Sequence, residues 1–452
     1  MRRDAFLPLL AAALVAAACE DSEPTSVDAP PAALARAESG SGSFRFDPIT
    51  PYTGDMACLD PSVPQEAPLQ LPAGFAQEII GRQSDLGTTN PEVNFDMLTL
   101  NETGPEAGRY LYRTHEVRPW AALSRIDLWT GENQMLVERE DWESFDGLVW
   151  TPWRTILMAE ERIVQTYRDP ELPDVERGLV YEYDPATGEV TPRPAVGARS
   201  HEGLRFDAQG NLYGISESRG LKNAGQPGQS GAIFKFVPDR RGDLSSGQLY
   251  ALRVRGGART GMADWVPLDL DPVTYDSDAA AQAVGATAWD RPEDLEIGTS
   301  TGNSRGGNGI MYVAVTESSE LAQDNGLVLR IELLGDEAYV SNYVEPGVNV
   351  AVEMNGDAGT GFDDPDNLAL APNGDLYITE DDAPSDIWVA RGNGTVATSV
   401  ELFARLRDCG AESTGVYFSR NGRTLWVNSQ HAQLNDGDDL TLAITVAGSG
   451  PR

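Results

Sequence analysis

One short pattern returns six times along the chain: a carboxylate, a few alternating apolar residues, a turn, and a second apolar run ending on a polar or acidic residue. Asp96 opens DMLTLNE, and RYLYRTHE ends at Glu116. Asp146 opens DGLVWTPW, and RTILMAEE ends at Glu160 and Glu161. Glu202 lies in HEGLRFD, and NLYGISE ends at Glu217. RPEDLE at 291–296 and GIMYVAVT at 309–316 run on to Glu317. Asp366 opens DNLALA, and DLYITE ends at Glu380. Glu412 opens ESTGVYF, and RTLWVNSQ ends at Gln430. Self-similarity of this kind points to a repeating architecture and is read before any local feature.

The unit has the dimensions of strands. Asp146 to Leu157, Glu202 to Tyr213 and Asp366 to Tyr377 are each 11 residues apart, which fits two short strands and a turn. Turn chemistry stands where it is needed, in Gln209-Gly210-Asn211, Asn373-Gly374-Asp375 and Asn421-Gly422-Arg423. A third run with period two follows in most units: LSRID at 123–127, VYEYD at 180–184, IFKFV at 233–237, VLRIE at 328–332 and IWVA at 387–390. The landmarks Tyr112, Leu157, Tyr213, Tyr312, Tyr377 and Trp426 lie 45, 56, 99, 65 and 49 residues apart, the spacing of propeller blades with insertions. The expected fold is all-β, a six-bladed β-propeller of antiparallel sheets over 68–452 with short helical insertions. The long gap holds the extra run Gln248–Val254 and the Ala-rich stretch Asp278–Ala288, read as an insertion beside the site, a candidate lid and the place for a helix. The last unit is short after Gln430 apart from Leu440–Val446, so Gly74–Gly81 (GFAQEIIG) is expected to complete it.

Composition excludes some functions. Lys and Arg number 34 against 70 Asp and Glu, giving 34 − 70 = −36. Nucleic acid is an unfavourable partner for such a chain, because phosphate backbones are bound by clustered Lys and Arg. At the N-terminus, Arg2 and Arg3 precede the apolar run Phe6–Ala18, which ends in small residues before Cys19. This reads as a signal peptide over 1–19 and an exported protein, periplasmic or extracellular. AAAC resembles a bacterial lipoprotein box, with Ala16 where Leu is usual, so a lipid on Cys19 is the expected membrane contact. Residues 20–67 read as a flexible tether and N-terminal segment. Cys58 and Cys409 remain after processing, and export permits a disulfide between them.

An isolated Glu at a strand end is ordinarily a solvated turn residue. In a propeller, however, equivalent strand ends converge at one mouth of the central channel. Acids at matching positions would then face one another, and their repulsion calls for cations with a taste for oxygen. With only three His in the chain, a Ser-His-Asp hydrolase finds little support. His115 and His201 each precede an acid and are expected to hydrogen-bond and orient it. Trp153 is expected in the core.

Four segments together resemble the PhoX-type family of secreted bacterial alkaline phosphatases: TPWRTILMAEE at 151–161, SHEGLRFDAQGNLYGISE at 200–217, RPEDLE with MYVAVTESS at 291–319, and GAESTGVYFSRNGRTLWVNSQH at 410–431. THE at 114–116 and PDNLALAPNGDLYITED at 365–381 match less specifically. The resemblance implies a six-bladed propeller whose channel mouth holds calcium and iron ions and cleaves phosphate monoesters. By motif match it implies Glu161, Glu202 and Glu293 as metal ligands, with Glu116, Asp366 and Glu412 as further candidates. Arg291 would grip the phosphate, and Arg291 and Glu202 are the candidate catalytic residues. The family's pattern has an iron-binding Cys five residues before TPW, where this chain has Asp146. A hard carboxylate in place of a soft thiolate favours several Ca²⁺ ions over iron, and Asp146 remains a candidate ligand. The expected partner is a small phosphorylated substrate, and the protein is expected to be a monomer. Two other classes stay open: a calcium-dependent lactonase-like propeller hydrolase, and a non-catalytic calcium-binding surface propeller. Arg291 separates the first of these, since a lactone needs no clamp for a dianion.

Overall fold

Each alternating run becomes a strand in a computed structural model, which describes residues 44–51, 66–161, 169–175, 177–224, 226, 230–269, 274–299, 309–318, 325–352, 361–381, 385–408, 410–434 and 437–447. Two strands precede the repeats, β1 (Leu69–Gln70) and β2 (Phe75–Arg82). The first sheet is β3 (Phe95–Leu100), β4 (Tyr110–His115), β5 (Ala122–Asp127) and β6 (Glu132–Glu138). The second is β7 (Phe145–Trp150), β8 (Ile156–Glu160), β9 (Val180–Tyr183) and β10 (Val190–Pro192). Then come β11 (His201–Phe206), β12 (Leu212–Ser216), β13 (Ile233–Arg240), β14 (Asp243–Val254), β15 (Gly261–Pro267), the helix α1 (Ser277–Ala283), β16 (Asp290–Thr299), β17 (Gly309–Glu317), β18 (Leu327–Leu334) and β19 (Glu337–Val344). These strands form one nine-stranded sheet in the order β11-β12-β13-β14-β15-β19-β18-β17-β16. β20 (Pro365–Leu370), β21 (Leu376–Glu380), β22 (Asp386–Arg391) and β23 (Ser399–Leu406) take β1 on their edge. β24 (Glu412–Phe418), β25 (Thr424–Gln430) and β26 (Leu440–Val446) are completed by β2, as the short last unit required. Four small sheets and one large sheet thus make an all-β, propeller-like arrangement.

The first strands lie innermost and touch in a cycle: β3 on β7, β7 on β11, β11 on β16, β16 on β20, β20 on β24, and β24 back on β3. Each carries the same irregularity. Phe95 pairs with His115 and Leu98 with Arg113, so Asp96 and Met97 of β3 oppose Thr114 alone of β4. The same extra residue follows Phe145, His201, Pro292, Pro365 and Thr414. Such bulges twist a strand and re-aim a side chain. The first bulged residue is Asp96, Asp146, Glu202, Glu293 or Asp366 in five strands, and Gly415 in β24. This corrects the alignment by sequence: Glu412 stands three residues ahead of the position the other acids share. Gly415 adopts φ +58°, and a Cβ there would lie 2.1 Å from the Asp96 carbonyl oxygen, so neither the backbone nor the space admits an acid.

Neighbouring repeat units are stitched by side chains that take up backbone groups near the bulges. Thr414 Oγ1 donates to Phe95 O at 2.8 Å, Thr316 Oγ1 to Pro365 O at 2.8 Å, and Leu368 N to Asp294 Oδ2 at 2.9 Å. Apolar faces between sheets form the core. In one such layer Tyr377, Phe403 and Phe418 pack with Phe44, which is 4% exposed. Packed chain therefore begins ahead of the boundary drawn at residue 68.

The insertion is no lid. β14 pairs with β15 and β15 with β19, so it fuses two four-stranded meanders into the large sheet. α1 falls within the Ala-rich stretch and is N-capped by Asp276, which accepts from Ala279 N at 2.9 Å. Buried Asp278 accepts from Ser216 Oγ at 2.8 Å, Ser218 Oγ at 3.1 Å and Ser230 Oγ at 2.5 Å, which pins the helix to the body. Trp153 packs partly buried against Phe206, its centroid 5.2 Å away. The leader, Cys19, Cys58 and Cys409 lie outside the described residues. Among the described residues, no helix is long and apolar enough to cross a membrane.

Close approach of inner strands makes a sharp test. A Cβ on Gly203 would meet Asp294 Oδ1 at 2.1 Å and Leu295 N at 2.7 Å, whereas a Cβ on Gly87 meets nothing within 4 Å. Gly203→Ala is expected to destabilise by about 1–3 kcal/mol or more, and Gly87→Ala by no more than about 0.5 kcal/mol, in denaturant unfolding. Equal stabilities would contradict the packing of β11 against β16.

Candidate metal centre

The bulges carry five acids to the same end of the inner strands. A second tier comes from the partner strands. One residue beyond the partner that faces each bulge stand Glu116, Glu161, Glu217 and Asp381, following His115, Glu160, Ser216 and Glu380. Alternation decides which acid of a doublet faces the channel. Glu160 accepts from Leu179 N at 3.0 Å, and Glu380 from Asp363 N at 2.9 Å and Trp388 Nε1 at 2.7 Å, so both serve the sheets. Their successors Glu161 and Asp381 serve the channel.

Asp96, Glu116 and Asp146 bring ligand oxygens within 4.8 Å of one another. Asp96 Oδ2 and Asp146 Oδ1 are buried with no hydrogen-bond partner among the described residues. A buried carboxylate oxygen without a donor is unfavourable unless a cation or proton reaches it. Glu116 is tied to the end of the last unit, where Gln430 Nε2 donates to its Oε2 at 2.9 Å. The donor set is all oxygen and anionic, so it fits a hard cation.

Burial, then mutual repulsion, pushes these carboxyls up. Asp96 is raised well above the usual range by burial, then by Asp146 and Glu116. Asp146 is pushed up to about 7, chiefly by burial. Glu202 is raised by burial, then by Asp146 and Glu293. Glu161 is raised by burial, then by Glu217 and Glu116, and Asp366 by burial, then by Asp381 and Asp146. Glu293 is likewise raised by burial, although Arg291 opposes the shift. Glu412, half-buried, adds to the repulsion on Asp366. The predicted acids therefore form one electrostatic cluster.

Two guanidiniums enter it. Arg291, at φ +50°, donates from Nε to Glu217 Oε1 at 2.7 Å, and its Nη2 lies 2.8 Å from Glu293 Oε1 and 2.9 Å from Asp381 Oδ2. Arg118 pairs with Glu161 through Nη2 and with Ser144 Oγ through Nε. The histidines do not orient the acids. His115 Nε2 meets Ser124 Oγ at 2.8 Å and His201 Nε2 meets Gly197 O at 3.0 Å. Both rings are buried among the strands, because neighbouring residues of a strand face opposite ways. Sequence reasoning left Asp96, Glu217, Asp381 and Arg118 off the ligand set. The first three occupy repeat positions and were detectable there, whereas no motif marks Arg118. At the other ends of the inner strands a cavity of about 990 Å³ is lined by Leu100, Trp150, Phe206, Leu370 and Phe418, away from the acids.

A family model for alkaline phosphatase PhoX matches residues 149–433. The chain belongs to the PhoX alkaline phosphatase family. PhoX proteins are metal-dependent and generally exported; the matched span contains Glu161, Glu202, Glu217, Glu293, Asp366 and Asp381 and begins after Asp96, Glu116 and Asp146. No curated protein matches this chain. Among solved structures, the chain is similar to the PQQ-bound aldose sugar dehydrogenase of Streptomyces coelicolor, with TM-score 0.46, 14% identity, and coverage of 83% of this chain and 99% of that one. It is also similar to a streptogramin B lyase, with TM-score 0.43, 12% identity, and coverage of 82% and 98%.

The raised carboxyls set a pH dependence. Each binds its proton more tightly folded than unfolded, so between the usual carboxyl range and about 7 for Asp146 the unfolded chain holds fewer protons. Their contribution to stability therefore falls as pH rises through that window. Cation-free protein is expected to show this loss in thermal melts, and Asp146→Asn to show a shallower fall. Identical pH slopes for the two proteins would contradict the clustering.

Proposed function

We propose that this PhoX family member is a calcium-dependent hydrolase of phosphate esters. The observation that carries the reading is Arg291 beside a two-tier set of buried and half-buried carboxylates, in which Asp96 Oδ2 and Asp146 Oδ1 have no hydrogen-bond partner among the described residues. We further read the arrangement as six blades, supported by six innermost strands with six matching bulges and by the fusion of two meanders in the large sheet. The proposed setting is the cell envelope, with a lipid on Cys19, a small phosphorylated substrate and a monomeric protein that does not bind nucleic acid.

Asp96, Glu116 and Asp146 would hold one cation, and Glu161, Glu202, Glu293 and Asp366 would serve further cations. Bound hard cations polarise phosphoryl oxygens and lower the pKa of a bound water. Asp146, where the resemblance places a thiolate, supplies a hard oxygen and favours calcium over iron. The chain's own residues do the rest. Glu217, Glu293 and Asp381 fix the Arg291 guanidinium from separate strands and keep it charged. A planar fork held in this way suits the oxygens of a phosphoryl group. It also orients the group, and orientation supplies much of catalysis in phosphoryl transfer. Glu202, 2% exposed, is raised by burial and then by the charges of Asp146 and Glu293, and so belongs to the same acid cluster.

Hydrolysis of 4-nitrophenyl phosphate is expected on addition of calcium and is lost with a chelator. Arg291→Lys is expected to lower kcat/KM by about 100-fold or more. Glu202→Gln abolishes the calcium-dependent rate without altering the far-ultraviolet spectrum. Near-normal kinetics in either variant would contradict the assignment. Calcium binding without ester cleavage by the unaltered protein would favour a binding propeller.

A further inference from the structure

We propose that Arg118 is a second phosphoryl-binding residue, gripping the substrate phosphate together with Arg291. The inference rests on the phosphatase reading of the same site. The two guanidiniums are the ends of one chain of contacts. Arg118 pairs with Glu161, Glu161 accepts from Ser200 Oγ at 3.3 Å, Glu217 N donates to Ser200 O at 3.2 Å, and Glu217 accepts from Arg291. Both are held alike. Each engages neighbours through Nε and Nη2, and for each the Nη1 group has no hydrogen-bond partner among the described residues.

Arg118 is also built in. Ser144 N donates to Val117 O at 2.9 Å and Glu161 N to Ser144 O at 2.7 Å, so the loop carrying Arg118 is bonded to the strands carrying Asp146 and Glu161. Arg118 Nη2 lies 3.4 Å from Glu161 O as well. Its side chain is nonetheless 41% exposed, against 8% for Glu161. The guanidinium is thus fixed through Nε and Nη2 on a side chain that solvent still reaches. Nine carboxylates of the two tiers repel a dianionic ester, and a second fixed guanidinium offsets that repulsion where the phosphate must sit.

The test is inorganic phosphate binding by calorimetry to the whole exported protein in saturating calcium, with a parallel calcium titration. Arg118→Gln is expected to weaken phosphate at least tenfold, to raise KM for 4-nitrophenyl phosphate more than it lowers kcat, and to leave calcium affinity unchanged or tighter. Arg118→Lys, which retains the charge, is expected to recover part of the phosphate affinity. It decides the matter alone if Arg118→Gln does not fold, through a weaker phosphate affinity than the unaltered protein. Unchanged phosphate affinity in both variants overturns the proposal and leaves the phosphatase reading intact. A phosphate loss matched by an equal calcium loss also overturns it, since Arg118 would then serve only Glu161. Absence of both phosphate binding and ester hydrolysis in the unaltered protein overturns the two readings together.

Discussion

Repulsion among buried and half-buried carboxylates is the interaction on which this structure turns. Asp96, Asp146, Glu202, Glu293 and Asp366 are carried inward by five equivalent bulges, and Glu116, Glu161, Glu217 and Asp381 join them from the partner strands. Taking such groups out of water is expensive unless charge is neutralised or protons are bound. The fold tolerates them because the sheets behind are extensively packed and cross-stitched. Such tolerance of local strain is typical of functional sites. Carboxyls raised by burial and then by one another fit a site for cations.

The bulge is the device that makes the arrangement possible. A regular strand would send alternate residues into opposite sheet faces, and an acid at the channel would be followed by one in the core. The extra residue instead turns one side chain along the channel and lets neighbouring inner strands approach within contact of Gly147, Gly203 and Gly415. In β24 that closeness leaves no room for an acid, and the cluster is asymmetric there. Gln430 partly fills the gap by holding Glu116. Arg291 enters on the opposite logic, as a cation fixed by three of the acids it stands among.

Much of this was legible in the chain, for physical reasons. Strand units were recovered because period two and turn residues are local properties, and β2 was placed because β26 lacked a partner. Acids named as candidate ligands lie in the channel-end cluster where an acid and a repeat coincide. Glu412 was misaligned because an acid stood near the right place, while register, set by Thr414 and Tyr417, put Gly415 there. His115 and His201 were misassigned because adjacency in sequence is separation in a strand. The union of two meanders through β15 depends on which edges meet, a tertiary fact with no local signature. Arg118 had no motif at all; its role follows from where a loop lands.

The central claim is that the acid cluster is an all-oxygen site for calcium, with Asp146 in place of a thiolate. Elemental analysis of protein purified in calcium-containing buffer without chelators tests it most directly. The account predicts more than one calcium per chain, no stoichiometric iron and no visible charge-transfer band, with calcium content reduced in Asp146→Ala. Stoichiometric iron with a visible band, or the absence of retained calcium, would contradict it.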